Sequence, residues 1–394
     1  MSRAIPSELL LQIFDEVEEQ TDLLSIRSTS RTMSSLVTPI CFRDIHVSDT
    51  PDCVMNMMSL QQNQTLASLV ERIVFRQKVD GRVHEITSVK YRTHDTTFPV
   101  VLLNNIRDAF SDMSYFCRIR SLVFVFDSKC KNDDSIFYTD FHKSFGPNYN
   151  QHLQHTLFQA ISRSFNTLYL ENLTVCHLLA DHFGSKSAFK SPEFAIVLSR
   201  LKMLHITGLS NSSHYWGSEP QYDNTIEVYS YTIPVGFLSP TQSSLTSLTL
   251  IADQSIEFWL EFDTLFYLHL TSLTLSGFIF DGTRDRSADV DGFILRHHGT
   301  LRDLHLSMCP MYLGALPDVA PVRWADFWRK LQECHHLERI VVRHPKDDYV
   351  IRDDDVPVPG IWCPKNLKIP GREEDKPAFE ELVAICERRS GMMR

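Results

Sequence analysis

One six-residue figure returns through most of this chain: apolar, two variable residues, apolar, one variable residue, apolar. It reads Ile119-Arg-Ser-Leu122-Val-Phe124, Phe165-Asn-Thr-Leu168-Tyr-Leu170 and Leu201-Lys-Met-Leu204-His-Ile206. It returns at Leu245-Thr-Ser-Leu248-Thr-Leu250, Leu270-Thr-Ser-Leu273-Thr-Leu275, Leu301-Arg-Asp-Leu304-His-Leu306 and Leu337-Glu-Arg-Ile340-Val-Val342, with an earlier copy at Val70-Glu-Arg-Ile73-Val-Phe75. The period-2 end of each copy predicts a short strand with one buried face. The stretches 100–113, 152–164, 290–298 and 324–333 have apolar spacing of the helical kind, and Pro192 opens a further helix running to about Arg200. Each precedes a strand, so the order is helix, strand, helix, strand. That alternation predicts an α/β fold with parallel strands. A doubly wound sheet alternates too, but repeated copies of one figure favour an irregular solenoid.

The first 47 residues follow another rhythm. After Pro6, the residues Leu9, Leu10, Ile13, Phe14 and Val17 form one apolar helical stripe. Asp22 is placed to cap a second helix carrying Leu23, Leu24 and Ile26. Ser30 to Phe42 reads as a third, with Met33, Leu36, Val37 and Ile40 on one face and a break expected at Pro39. Phe42 to Val47 then alternates like a strand. Three helices in about 40 residues have too little interior to hide all their leucines, so they need a neighbour to pack on.

Ile5-Pro6-x-Glu8-Leu9, then Asp22-Leu23-Leu24, then Ser30-Arg31 ahead of a third helix resemble an F-box, over roughly residues 4–47. Met33 stands where that family often has Trp. The recurring figure resembles a leucine-rich repeat, and the copy at Leu301 extends to Cys309 like the cysteine-containing subtype. Together these features are similar to fungal-type F-box proteins with degenerate leucine-rich repeats. The resemblance implies a substrate-recognition subunit of a cullin ubiquitin ligase, not itself an enzyme and without cofactor. The helical module would dock a Skp-type adaptor, and through it a cullin, while the repeats hold a protein target. Ile5, Pro6, Leu9, Ile13, Leu23, Leu24 and Ile26 would then meet the adaptor, with Glu8, Arg27 and Ser30 at the margin. The alternative is a repeat scaffold that binds a partner with no ligase attached. The expected division is a module over 1–47, a linker over 48–60, repeats over 61–376 and a capping helix and tail over 377–394.

The variable residues of each figure point away from the buried leucines. Lys202, His205, Arg302, Asp303, His305, Glu338, Arg339 and Arg343 are therefore the expected target-binding set. Measured between the second apolar positions 73, 122, 168, 204, 248, 273, 304 and 340, the steps are irregular, and most exceed the roughly 20–29 residues of ordinary repeats. Longer helices or loops must fill them. Four stretches, 129–151, 210–225, 281–291 and 345–377, read as excursions, and loops with Trp216, Tyr222 and Trp362 are the alternative source of binding anchors.

Composition narrows the function. Hydrophobic content of 43% and charged content of 22% belong to a folded protein. A formal net charge of −10 argues against a nucleic-acid partner. No run of 18 apolar residues offers a membrane span, and acidic residues interrupt the only N-terminal apolar stretch, so no signal peptide is read. Nine unpaired-looking cysteines suit the cytoplasm or nucleus. Sequons at Asn63, Asn172 and Asn211 have no secretory context. There is no phosphate loop, nucleophile elbow or His-Glu-x-x-His pair, and no Cys-x-x-Cys to start a metal site. The doublets His297-His298 and His335-His336 cannot chelate alone, since neighbours on a helix face different ways; a turn or surface role is expected. The Asp353–Asp355 run reads as a solvated loop.

Overall fold

The computed structural model describes residues 5–17, 19–78, 97–128, 149–179, 188–209, 228–256, 262–281, 289–312, 323–343, 349–353, 360–362, 369 and 371–391. The expected excursion at 210–225, with Trp216 and Tyr222, lies outside these residues, as do most of 129–151 and parts of 281–291 and 345–377.

Three helices open the chain: α1 (Ser7–Asp15), α2 (Gln20–Thr29) and α3 (Arg31–Arg43). Phe14, Leu23, Val37 and Cys41 are their buried centre, with Leu10, Val17, Ile26, Met33, Leu36, Ile40 and Phe42 packed around them. This cluster is separate from the main core. Two local expectations are corrected. Asp22 lies inside the first turn of α2, where its charge meets the positive end of the helix dipole, and Glu19 takes the cap position. Pro39 does not break α3, which runs one further turn to Arg43.

Strand β1 (Asp44–Ser48) follows α3 without an intervening residue. The span expected as a linker is helical instead: α4 (Pro51–Gln62) carries Pro51 in its first turn and sends Val54 and Met57 into the main core. Buried Gln61 ties it to α5 (Thr97–Ser111): its Nε2 donates to the Ala109 carbonyl at 2.7 Å and to the Asp112 carbonyl just beyond that helix at 3.1 Å.

The remaining strands are β2 (Arg72–Arg76), β3 (Ser121–Val125), β4 (Asn172–Leu179), β5 (Met203–Leu209), β6 (Ser247–Ile256), β7 (Ser272–Phe278), β8 (Phe280–Asp281), β9 (Asp303–Ser307), β10 (Met311–Tyr312), β11 (Arg339–Arg343), β12 (Tyr349–Asp353) and β13 (Gly360–Trp362). Eight of them join β1 in one nine-stranded parallel sheet whose order is the order of the chain, β1-β2-β3-β4-β5-β6-β7-β9-β11. A second sheet stacks β8, β10 and β12 in parallel and adds β13 antiparallel. The α/β class with parallel strands therefore holds.

Pairing fixes two apolar rows. One runs Ile45, Ile73, Leu122, Leu173, Leu204, Leu248, Leu273, Leu304, Ile340, and the other Val47, Phe75, Phe124, Val175, Ile206, Leu250, Leu275, Leu306, Val342. The figure at Phe165 is thereby moved. Leu168 and Leu170 are buried ahead of β4, and the residues in register are Leu173 and Val175, with Leu170 as the leading apolar position. Phe42, Ile45 and Val47 also fit the figure, so the strand expected to finish the helical module is the first strand of the sheet.

Helices α5, α6 (Tyr149–Arg163), α7 (Pro192–Leu198), α8 (Val290–Arg296) and α9 (Trp324–Leu331) share a single core with these rows. Ser191 caps α7, accepting from the Phe194 N–H at 3.1 Å. At the centre of this core Phe158 lies 4.9–6.4 Å from the rings of Phe124, Phe126, Phe189, Phe194 and Phe237. A C-terminal helix, α10 (Asp375–Arg389), closes the stack against α9. Arg389 of α10 donates to the Cys334 and Gln332 carbonyls at 2.8 and 2.9 Å, satisfying the chain just after α9.

Truncating the aromatic centre leaves a cavity that packed neighbours cannot refill. Phe158→Ala is expected to lower unfolding free energy by about 3–5 kcal/mol, measured by denaturant titration. Leu268→Ala, at a side chain 56% exposed, is expected to change it by less than about 0.5 kcal/mol.

Candidate interaction surfaces

The first surface is built by the N-terminal helices. Ile5, Leu9 and Ile13 recur at four-residue spacing and share one side of the α1 segment. They are 58, 50 and 54% exposed, and Leu24 on α2 is 43% exposed. Pro6 and Glu8 are exposed beside them. Four residues expected at the adaptor surface also serve the module itself, and of these only Leu23 is buried. Leu23 is in its core and Ile26 packs against that core. Arg27 donates from Nε to the Thr38 hydroxyl at 3.0 Å and lies over the Phe42 ring at 5.5 Å, pinning α2 to α3. Ser30 caps α3, its hydroxyl accepting from the Met33 N–H at 3.2 Å. Met33 itself is half-buried against the same core.

The second surface is the sheet face opposite the apolar rows. Register sets it out as three lines. The first is Asp44, Arg72, Ser121, Asn172, Met203, Ser247, Ser272, Asp303, Arg339. His46, Val74, Val123, Thr174, His205, Thr249, Thr274, His305 and Val341 form the middle line. Arg76, Arg343 and neutral side chains, among them Cys176, Thr207, Ser276 and Ser307, occupy the third. Hydroxyl residues fill the middle strands, and arginines stand at both ends.

The structure divides the expected target set. His205, Asp303, His305, Arg339 and Arg343 lie on this face. Lys202, Arg302 and Glu338 belong to its rim, where each residue precedes a strand. Rim carbonyls carry the turns: that of Arg120 accepts from the Glu171 and Asn172 N–H groups, that of Lys202 from Thr246 and Ser247, and that of Arg302 from Glu338 and Arg339, all at 2.9–3.0 Å. Rim side chains alternate in charge, with Arg120–Glu171 at 2.6 Å and Arg302–Glu338 at 3.8 Å. On the face itself Arg339 Nε donates to Asp303 Oδ1 at 2.7 Å. These pairs hold neighbouring strands together, so Arg302, Asp303, Glu338 and Arg339 have internal partners. Burial pushes the His205 and His305 pKa values down, and for His305 the charges of Arg343 and Arg339 add to this. Sequence reasoning missed His46, Arg72 and Arg76 on the same face, although the same alternation in β1 and β2 marks them.

The histidine doublets part company. His335 and His336 are exposed in a turn, whereas His297 is 1% exposed. A turn role is right for His297 and a surface one is not. Its Nε2 accepts from the Tyr267 N–H at 2.9 Å, so Nδ1 carries the proton and donates to the Phe293 carbonyl at 2.7 Å. Burial holds its pKa below the ordinary histidine value, and the Arg296 charge adds to that.

Cys309 is buried, as expected, with its thiol near the Ser307 and Leu275 carbonyls, and burial pushes its pKa up to about 11. A buried carboxylate not anticipated from sequence sits past β1. Asp49 accepts from the Lys78 N–H at 2.7 Å and the Tyr149 hydroxyl at 3.2 Å, and desolvation raises its pKa. Among the described residues no three His, Cys, Asp or Glu side chains gather as a metal site, and no helix is long and apolar enough to cross a membrane. Asp353 lies in β12, while Asp354 and Asp355 lie outside the described residues.

His297 gives the fold an acid sensitivity with a definite sign. Because the folded state holds it neutral, its contribution is complete above the unfolded histidine pKa of about 6.5 and is lost as pH falls through the lower folded value. Melting temperature is expected to drop as pH is lowered from that point, and His297→Gln, which keeps an acceptor for Tyr267, is expected to flatten the decline in a pH series of thermal melts.

No family model matches the chain, and no curated protein matches it either.

Proposed function

We propose that this chain is the substrate-recognition subunit of a cullin-type ubiquitin ligase. Helices α1 to α3 dock a Skp-type adaptor as an F-box does, and the sheet with its helices is an irregular leucine-rich-repeat solenoid whose open face takes a protein target. One observation carries the reading. The N-terminal helices have a small core of their own and still leave Ile5, Leu9, Ile13 and Leu24 in water. Ile5, Leu9 and Ile13 share one side of the α1 segment, and an apolar helical face left exposed is characteristic of an interaction site. The solenoid half is supported by nine parallel strands in chain order and by two continuous apolar rows along one side of them. No bond chemistry is assigned to any residue. The assembly would supply proximity between target and ubiquitin-loading enzyme.

Pro6 and Leu9 are both exposed, so their truncation tests docking without disturbing folding. Pro6→Ala combined with Leu9→Ala is expected to weaken capture of a purified Skp-type adaptor by roughly thirtyfold or more, the equivalent of one lost interface anchor. The melting temperature should stay within a degree or two of the parent. Adaptor binding at parental strength in that double variant, measured by calorimetry, sinks the assignment.

A further inference from the structure

The two edges of the nine-stranded sheet are not alike. At one edge β1 buries Ile45 and Val47 to 8 and 4% exposure, with α3 and α4 against it. At the other, β11 is the last strand, and among the described residues no strand pairs with its outer side. The inner neighbours of Ile340 and Val342 are at most 1% exposed at Leu273, Leu304, Leu275 and Leu306. Ile340 and Val342 themselves are only half-buried, and Val341 on the open face is 38% exposed. Helix α10 packs on this strand, but it does not extend the ladder. Such an edge presents backbone donors and acceptors that no described strand takes up, open to a chain that can lie along it.

Charge selects the occupant. Arg339 and Arg343 stand exposed on either side of Val341 on the open face; Arg339 shares its guanidinium with Asp303 at 2.7 Å, and Arg343 has no ion pair among the described residues, so Arg343 is the stronger selector. A second copy of this strand laid antiparallel about Val341 would set Arg339 opposite Arg343 twice over, and like charges directly opposite are destabilising. An extended segment with two acidic residues flanking an apolar one would instead meet both arginines and cover Val341. Its alternate residues would continue the buried rows beside Ile340 and Val342.

We propose that β11 is a docking edge at which a partner protein adds an extended strand of the pattern acidic–apolar–apolar–apolar–acidic to the sheet. The pattern reads the same in both directions, so parallel and antiparallel addition satisfy it equally. Backbone pairing supplies affinity and the two arginines supply selection. This deepens the target-binding half of the proposed function and rests on it; the adaptor half is independent.

The test uses the full chain and the fluorescein-labelled peptide Ser-Gly-Glu-Ile-Val-Ile-Glu-Gly-Ser, followed by anisotropy. The peptide is expected to bind, and its counterpart with both Glu replaced by Lys to bind at least about tenfold more weakly. Methylating the backbone nitrogens of the central Val and the following Ile, one of which must face β11, is expected to cost a similar factor. Arg343→Glu should leave the melting temperature unchanged and shift preference toward the Lys peptide. No binding of the Glu peptide, or equal binding of all three peptides with no response to Arg343→Glu, overturns the inference. If the adaptor is captured and the peptide is not, this inference fails alone. If the peptide binds as described and the adaptor is not captured, the ligase reading fails and the docking edge stands.

Discussion

A parallel strand cannot be joined to its neighbour by a tight turn; the chain must travel back to the starting edge before it can pair again. Here the helices described between the strands pack on one face of the sheet. These helices bury their apolar stripes on the two strand rows that begin at Ile45 and Val47, and the opposite face carries mostly polar side chains, with Val74 and Val123 buried among them. Every other feature follows from this one-sided coverage. The figure apolar-x-x-apolar-x-apolar is its minimum code: one residue to close the turn and two to enter the rows. Whatever lies between copies is free to vary, because it lies outside the ladder. Paired row positions 45, 73, 122, 173, 204, 248, 273, 304 and 340 are therefore separated by 28, 49, 51, 31, 44, 25, 31 and 36 residues without loss of register.

The same geometry explains the rim. Residues 43, 71, 120, 171, 202, 246, 271, 302 and 338 all stand one place before a strand, and from 71 onward each carbonyl before the last accepts N–H groups from the turn of the next unit. Their identities run Arg, Glu, Arg, Glu, Lys, Thr, Thr, Arg, Glu. Opposite charges thus fall on adjacent turns wherever charges occur in succession. Exposed pairs contribute little individually, but like charges in that line would oppose every strand pairing. Lys202, Arg302 and Glu338 are explained by this local requirement before any partner is invoked.

Strand and helix positions were largely legible in the sequence because both rest on periodicity. The failures have physical causes. Phe165-x-x-Leu168-x-Leu170 and Leu170-x-x-Leu173-x-Val175 satisfy the template equally, and Leu168, Leu170, Leu173 and Val175 are all buried; only pairing with Leu204 and Ile206 separates them. Ser48 to Asp52 reads as polar linker, although Thr-Pro-Asp is also a helix opening, and Val54 and Met57, three and six residues after Pro51, stand among the equally apolar Met55 and Met58, so that no single stripe stands out. The two-residue strands β8 and β10 are too short to have a period at all. Surface residues were harder still. Arg27 and Ser30 match the motif of an adaptor margin and also make internal contacts, a pairing with Thr38 and a cap on the Met33 N–H, and no one-dimensional pattern foretells such local use.

The junction between α3 and β1 bears on how the two proposed surfaces work together. Helix α3 ends at Arg43 and β1 begins at Asp44, and the Arg43 carbonyl already accepts from the Glu71 N–H at 2.8 Å. Phe42 packs into the helical module while Ile45, three residues on, enters the main core. A free linker would let a tethered target sweep a large volume, diluting it as the linker lengthens. A helix that becomes the first strand of the sheet removes that freedom. With α1 and α2 held by an adaptor, the direction of the nine strands, and so the aim of the open face, is set by backbone pairing at β1. Proximity in such an assembly is then a property of fixed geometry, and substitutions that loosen Phe42 or Ile45 would alter the placement of a target without touching either surface.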